Sequence, residues 1–187
     1  MMRLTLTSLC LVIALFSPAP GQRTLPRVRA PKADNAIRRV DFKNFTYQNY
    51  RYPDGSEDLV LRNGSDGKRI PEDLFAATID AVSYLDFDGD NQDEAVVTII
   101  TEHSGSGGFS GDYFVFKYSN GKVNQVFHEK RSLPKPLYIV DRSLVITAPY
   151  WKPGDAHCCP SLTETTVYRW RRGAFVRTSR KLVPFRE

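Results

Sequence analysis

The chain has 187 residues, 41% hydrophobic and 12% aromatic, and carries a net charge of +5, which is the profile of one domain able to bury an ordinary core. Of its three cysteines one sits in an N-terminal apolar run and the other two are adjacent, so a framework of disulfides stapling distant strands is excluded. Stability then rests on packing, with eleven Phe and nine Tyr as the bulky filling.

Met1-Met2-Arg3 opens the chain with a short basic region, Leu4 to Phe16 form an apolar run, and Ser17-Pro18-Ala19-Pro20-Gly21 supply a small-residue exit. This order predicts a cleaved signal peptide over 1–21, with Ala19 and Gly21 at the minus three and minus one positions. The apolar run falls short of the ~20 residues that span a bilayer, so the mature chain is expected to carry no transmembrane segment. Cys10 follows Leu9 in the middle of the run, which does not suit a lipidation site. A secreted or periplasmic location without a lipid anchor is the expectation, and nucleic acid is disfavoured as a partner.

Residues 22–36 hold two prolines and four basic residues without apolar periodicity, and read as a disordered leader. The folded domain is expected over 37–187. Short runs rich in Val, Ile, Tyr, Phe and Thr, punctuated by Gly, Asn, Asp and Pro, predict strands near Asp41 to Tyr47, Asp58 to Arg62, Ala77 to Leu85 and Glu94 to Thr101. Further strands are expected near Asp112 to Tyr118, Lys122 to Glu129, Leu137 to Asp141, Leu144 to Ala148, Thr165 to Trp170 and Ala174 to Arg177. The fold class is all-β: a single antiparallel two-layer domain, meandering and sandwich-like. At most one short helical turn is expected, at Pro71-Glu72-Asp73-Leu74-Phe75, where proline and two acids suit a helix start.

Asp86-Phe87-Asp88-Gly89-Asp90-Asn91-Gln92-Asp93-Glu94 places five carboxylates immediately before the apolar run Ala95 to Ile100. Like charges about 6 Å apart repel by roughly 0.7 kcal/mol in water and about 3 kcal/mol at an effective dielectric of 20, so such a loop asks for a cation. Asp86, Asp88 and Asp90 at positions one, three and five, a carbonyl from Gln92 at seven and Glu94 at nine form an all-oxygen donor set. That set suits a structural Ca2+ better than zinc, copper or magnesium. The competing reading is a set of Asx-turns at a strand entrance with the charges facing water. The run that follows has almost no polar alternation and predicts a central strand covered on both faces, while Phe114, Phe116 and Tyr118 share one face of its neighbour.

Ser104 to Gly111 read as a wide glycine-rich turn, without the elbow or helix that presents a nucleophilic serine. Asn120-Gly121 predicts a two-residue hairpin turn, and Asp141-Arg142-Ser143 and Arg171-Arg172-Gly173 predict similar reversals between sequential neighbours. The three histidines show no metal-ligand spacing, His128 reads as a surface or packed residue, and no phosphate-binding glycine loop occurs, so no enzyme is expected.

Cys158 and Cys159 stand in His157-Cys158-Cys159-Pro160. Their Cα atoms, ~3.8 Å apart across a trans peptide, are closer than in an ordinary disulfide. Three readings stay open: a vicinal ring that rigidifies a turn, free or metal-bound thiols with His157, and a redox switch. From Arg169 to Lys181 the chain has six cations, Arg169, Arg171, Arg172, Arg177, Arg180 and Lys181, and no acid. They offer a contact for an anionic cell-envelope polymer or protein, or simply a solvated basic strand face.

The acidic loop resembles the calcium loops of the FG-GAP and VCBS repeat families: Asp86, Asp88, Asp90 and Glu94 match the side-chain positions and Gln92 the carbonyl position. Only one copy is present, so the propeller of those families is not implied. The order of acidic loop, glycine-rich turn, Cys158-Cys159-Pro160-Ser161 and Val167-Tyr168-Arg169-Trp170 resembles bacterial secreted proteins of the LppP/LprE lipoprotein type over about Ala77 to Phe175. The resemblance implies a small extracytoplasmic β domain and supplies no mechanism. Together these readings point to a calcium-stabilised, non-enzymatic binding or envelope-associated module, with an extracytoplasmic thiol-redox or metal-handling protein as the alternative.

Overall fold

A computed structural model describes residues 35–50, 58–70, 73–103, 108–132, 136–156 and 158–185. The expected signal peptide, all but the last two residues of the expected leader, Ser104, Ser106 and His157 lie outside them. Two 3₁₀ turns, Ala36–Arg39 and Phe42–Asn44, precede a short antiparallel pair, β1 (Thr46–Tyr47) with β2 (Leu59–Val60). A five-stranded sheet follows in chain order: β3 (Ser65–Ile70), β4 (Asp73–Leu85), β5 (Glu94–His103), β6 (Gly108–Ser119) and β7 (Lys122–Ser132). A four-stranded sheet completes the domain: β8 (Tyr138–Val140), β9 (Ser143–Tyr150), β10 (Leu162–Arg171) and β11 (Ala174–Pro184). Every pairing is antiparallel and every sheet neighbour is a sequence neighbour, so the fold is the expected all-β meander. No described helix is long and apolar enough to cross a membrane.

The turn chemistry explains the meander. Asn120 and Gly121 both have positive φ, 53° and 74°, between the paired residues Ser119 and Lys122, the backbone a two-residue hairpin needs to match strand twist. Arg172 and Gly173 (52° and 86°) do the same between Arg171 and Ala174. Asp141 and Arg142 (46° and 58°) close β8–β9 without a glycine.

β5 is buried on both faces, as its unbroken apolar run predicts. Ala95, Val97 and Ile99 join Phe114 and Phe116 of β6 in one core, capped by Ile37, Phe42, Tyr47, Leu59 and Leu61 of the N-terminal segment. Val96 joins Tyr113 and Val115 in a second core, closed from the other sheet by Leu144, Ile146 and Tyr168. The central sheet is thus sandwiched between the four-stranded sheet and a layer of turns. Each large apolar side chain removed from water there contributes about 1.5–3 kcal/mol before conformational entropy is set against it.

Three local expectations are corrected. The helical turn expected at Pro71 to Phe75 does not form over its described part: Asp73, Leu74 and Phe75 pair with Ile70, Arg69 and Lys68 in a β3–β4 hairpin, where ladder pairing overrides the helix-start signal. The strand expected over Asp41 to Tyr47 is mostly a 3₁₀ turn. Asp41 Oδ1 accepts from the Lys43 N–H and Oδ2 from the Asn44 side chain, a local cap that competes with the extended state. The glycine-rich turn is shorter than expected, because β6 begins at Gly108 and buries Ser110.

Candidate functional site

The acidic loop joins β4 to β5 at one end of the sandwich. Phe87 turns inward and meets Phe175 edge-on at 5.0 Å, pinning the loop to the β10–β11 hairpin. Around that anchor the carboxylates fold the backbone. Asp86 accepts from the N–H groups of Gly89 (2.6 Å) and Asn91 (3.2 Å), Asp88 from Asp90 (3.1 Å), and Asp90 from Gln92 (2.7 Å). Gly89 has φ of +86°, a backbone the turn reserves for glycine, and a Cβ there would also nudge the nearby Arg142 Nη1 at 3.1 Å.

Glu94 closes the loop from beneath. It is 0% exposed; its Oε2 accepts the Phe87 N–H at 2.8 Å, while Oε1 is faced by a lysine ammonium alone. One carboxylate oxygen each from Asp86, Asp88 and Glu94 fall within 4.8 Å of one another, a spacing at which one hard cation can bind all three. Asp90 and Gln92, also expected as ligands, are exposed, and the three converging carboxylates do not include Asp90.

Lys117 of β6, which sequence reasoning passed over, occupies this acidic cup. Its Nζ contacts Asp88 Oδ2, lies 2.9 Å from Asp90 Oδ2 and 3.4 Å from Glu94 Oε1, and sits 5.9 Å from the Trp170 ring centroid. A signal was present: Lys117 is the one cation in the apolar run Tyr113 to Tyr118, and the β5–β6 register puts it opposite Glu94. Two arginines finish the neutralisation, Arg142 at 3.5 Å from Asp86 and Arg38 at 2.6 Å from Asp93.

Burial pushes the Glu94 carboxyl up to about 7, with the Asp88 charge adding to the rise and the Phe87 N–H and Lys117 opposing it. For Asp90 partial burial is outweighed by Lys117 and the Gln92 N–H, which hold its carboxyl below the usual carboxylate range. Burial likewise works against the Lys117 charge, but Asp88, Asp90 and Glu94 raise its ammonium above the ordinary lysine value.

A second buried carboxylate lies on the sheet's other face. Asp112, 0% exposed, binds His128 Nε2 at 2.7 Å and lies 3.8 Å from Lys130 Nζ. The His128 ring stacks on Phe114 at 4.2 Å, in keeping with a packed residue. Ser110, buried on the same strand, makes no hydrogen bond through its Oγ, so Ser110, His128 and Asp112 do not form a nucleophile–base relay.

Cys158 and Cys159 are joined in a vicinal disulfide, and both are exposed. The loop around them is organised by Asp155, whose Oδ2 accepts from Lys152 N (2.7 Å), Ser161 N (3.0 Å) and Ser161 Oγ (2.8 Å). The Lys152 N–H first, then Ser161, holds the Asp155 carboxyl below its usual range.

The six cations of the C-terminal hairpin are not one patch. Arg177 pairs with Tyr168 and Arg180 with Thr166, which places both on the inner face of the four-stranded sheet. Arg169, Arg171 and Lys181, paired with Val176, Ala174 and Thr165, belong to the outer face, and Arg172 sits in the turn. Arg169 Nε donates to Ser143 Oγ at 3.1 Å.

Comparison with protein-family models, with curated proteins and with solved structures finds no match to this chain.

Proposed function

We propose that the chain is a non-enzymatic, extracytoplasmic binding module whose acidic loop takes up calcium as a structural ion. One observation carries the metal reading: three carboxylate oxygens converge within 4.8 Å, and the deepest residue of the three, Glu94, is fully buried with its Oε1 faced only by the Lys117 ammonium at 3.4 Å. A buried carboxylate calls for a cation, and an all-oxygen cup of three carboxylates suits a hard divalent one. Asp86, Asp88 and Glu94 would hold the ion, and Asp90 and Gln92 are near enough in sequence to complete its shell. Lys117 has to withdraw for the ion to enter, so the protein's own ammonium and the metal compete for one cup. The N-terminal apolar segment supports export, and the cationic C-terminal hairpin supports attachment to anionic envelope material.

Thermal unfolding in chelator and across a calcium titration, with Asp88→Ala in parallel, tests the metal. Calcium at 100 times its dissociation constant adds about 2.7 kcal/mol, or roughly 5–10 °C for a domain of this size. The expected result is such a rise in the parent, absent in Asp88→Ala and much smaller with magnesium. Identical melts without response would leave the loop as an ion-pair cluster closed by Lys117.

A second reading, thiol–disulfide exchange, is favoured by the exposure of the Cys158–Cys159 disulfide. Equilibration with glutathione buffers measures it: a potential in the range of exchange catalysts would support the reading, and resistance to the strongest glutathione buffer would refute it.

A further inference from the structure

Away from the acidic loop, at the other end of the sandwich, a cavity of about 540 Å³ opens between the sheets. Its lining runs along β10 from Glu164 to Tyr168, two residues short of Trp170, which packs near the loop. Arg131 reaches it from β7 of one sheet, Arg177 and Arg180 from β11 of the other, and Tyr150 and Trp151 line its wall.

The arginines are gathered by a β-bulge. The register of β10 with β11 shifts at Val167 and Tyr168, whose partners are Ser179 and Arg177, leaving Thr178 as the extra residue. In a regular strand residues 177 and 180 would face opposite sides of the sheet; the bulge turns both inward. Glu164 then fixes two of the guanidiniums: Arg180 Nε donates to its Oε1 at 2.9 Å, and Arg131 Nη1 stands 3.7 Å from its Oε2. Arg131 also holds Glu129 at 2.7 Å. Both carboxylates of the cleft are thereby engaged. Arg177 is exposed and has no ion pair among the described residues. Arg180 also lies over the Tyr150 ring at 5.1 Å and bonds Tyr150, and Arg131 bonds Tyr168, so two guanidiniums are fixed in place beside Arg177, whose planar fork is unspent and open to an oxyanion.

We propose that this cleft binds an acidic saccharide, with Arg177, Arg180 and Arg131 taking its carboxylate and the Tyr150–Trp151 wall holding the sugar ring. The proposal deepens the binding-module reading and rests on it. A bare inorganic anion fills only a small part of 540 Å³, a volume in the range of small-molecule sites. The walls are largely inner-face side chains, which suits a ring carrying hydroxyls better than a peptide that adds to a sheet edge through its backbone.

The test is calorimetric titration of the full chain with trigalacturonic acid, in chelator and again in calcium. Maltotriose, inorganic phosphate and a glutamate hexapeptide serve as comparison probes, and Arg177→Gln and Arg177→Lys as variants. The expected result is saturable binding of the acidic trisaccharide and none of maltotriose, weakened at least tenfold by Arg177→Gln and not restored by Arg177→Lys, which lacks the planar fork. Because Arg177 is exposed and unpaired, Arg177→Gln should melt with the parent. Absence of binding, binding unchanged in Arg177→Gln, or equal binding of phosphate or of the hexapeptide would overturn the proposal. Saccharide binding in chelator by a chain that never responds to calcium would sink the metal reading and leave the cleft standing; a calcium response without saccharide binding would do the reverse.

Discussion

Lys117 stands across from Glu94, one step beyond the Ala95–Phe116 pair, and its ammonium lies 3.4 Å from the buried carboxylate oxygen Oε1. The cup therefore has a built-in cation, and the metal question becomes one of exchange. Removing one partner of a buried charge pair strands the other at a cost of about 3 kcal/mol. Lys117→Met, which keeps the stem against Trp170, should lower the melting temperature by roughly 6–12 °C in chelator. Calcium should restore most of that loss, and at lower concentration than the parent requires. Differential scanning calorimetry with and without chelator checks both halves; a Lys117→Met protein that melts low and ignores calcium would reduce the cup to an ion-pair cluster.

Phe87 tests how the loop is anchored. It is almost fully buried and meets Phe175 edge-on, so the acidic loop is held by its one apolar residue. Phe87→Ala should cost about 3–5 kcal/mol from lost burial and the cavity left behind. Phe87→Leu should cost far less and keep the loop in place. Hydrogen exchange of the Gly89 and Asn91 amides, which Asp86 accepts, should speed up in Phe87→Ala and stay near parent rates in Phe87→Leu.

What the sequence disclosed and what it withheld divide along a physical line. Double burial of β5 was legible because an unbroken apolar run has no solvent face, and the hairpin at Asn120-Gly121 because its backbone demands residues tolerant of positive φ. Signals that depend on a partner strand were not legible. Asp73 to Phe75 look like a helix start until β3 is there to pair with them. Likewise the Arg169 to Lys181 run looks like one basic patch until strand alternation divides it between two faces and the bulge at Thr178 brings Arg177 and Arg180 to the same one. Lys117 belongs to the same class: its role exists only in the register that sets it opposite Glu94. The acidic loop was legible as a donor set, but only the fold shows that Asp86, Asp88 and Glu94 converge on one point while Asp90 meets them through Lys117.

The cysteine pair should matter little for stability. A disulfide stabilises chiefly by closing a loop in the unfolded chain, and adjacent residues close almost none. The turn beside it is held instead by Asp155, which accepts three hydrogen bonds. Cys158→Ser/Cys159→Ser should therefore melt within about 0.5 kcal/mol of the parent, as surface substitutions do. Asp155→Ala, which orphans the Lys152 and Ser161 donors, should lower the urea midpoint by more than the double cysteine variant does. Parallel urea titrations of the two variants give the comparison, and the reverse order would show that the ring, not the carboxylate, builds the turn.

Glu164 gives the domain an acid-sensitive joint. The Arg180 guanidinium leads the causes that hold its carboxyl below the ordinary value of 4.5, with the Thr166 hydroxyl and Arg131 adding to the effect and burial opposing it. A carboxyl whose folded value is depressed binds its proton more readily in the unfolded chain. The stability it contributes is therefore fully present above about pH 4.5 and is lost as pH falls through the lower folded value. Glu164→Gln removes that linkage while keeping the shape. Its melting temperature should lie below the parent's at pH 6 to 7, with the gap closing steadily from pH 4.5 downward. If the joint also positions the cleft arginines, protonation at acidic pH should release Arg180 and Arg131 and weaken trigalacturonate binding in the parent over the same window. In Glu164→Gln the binding should already be weak at neutral pH and show only the ligand's own titration. A melting-temperature gap that stays constant from pH 3 to pH 7 would mean that Glu164 contributes no proton-linked stability.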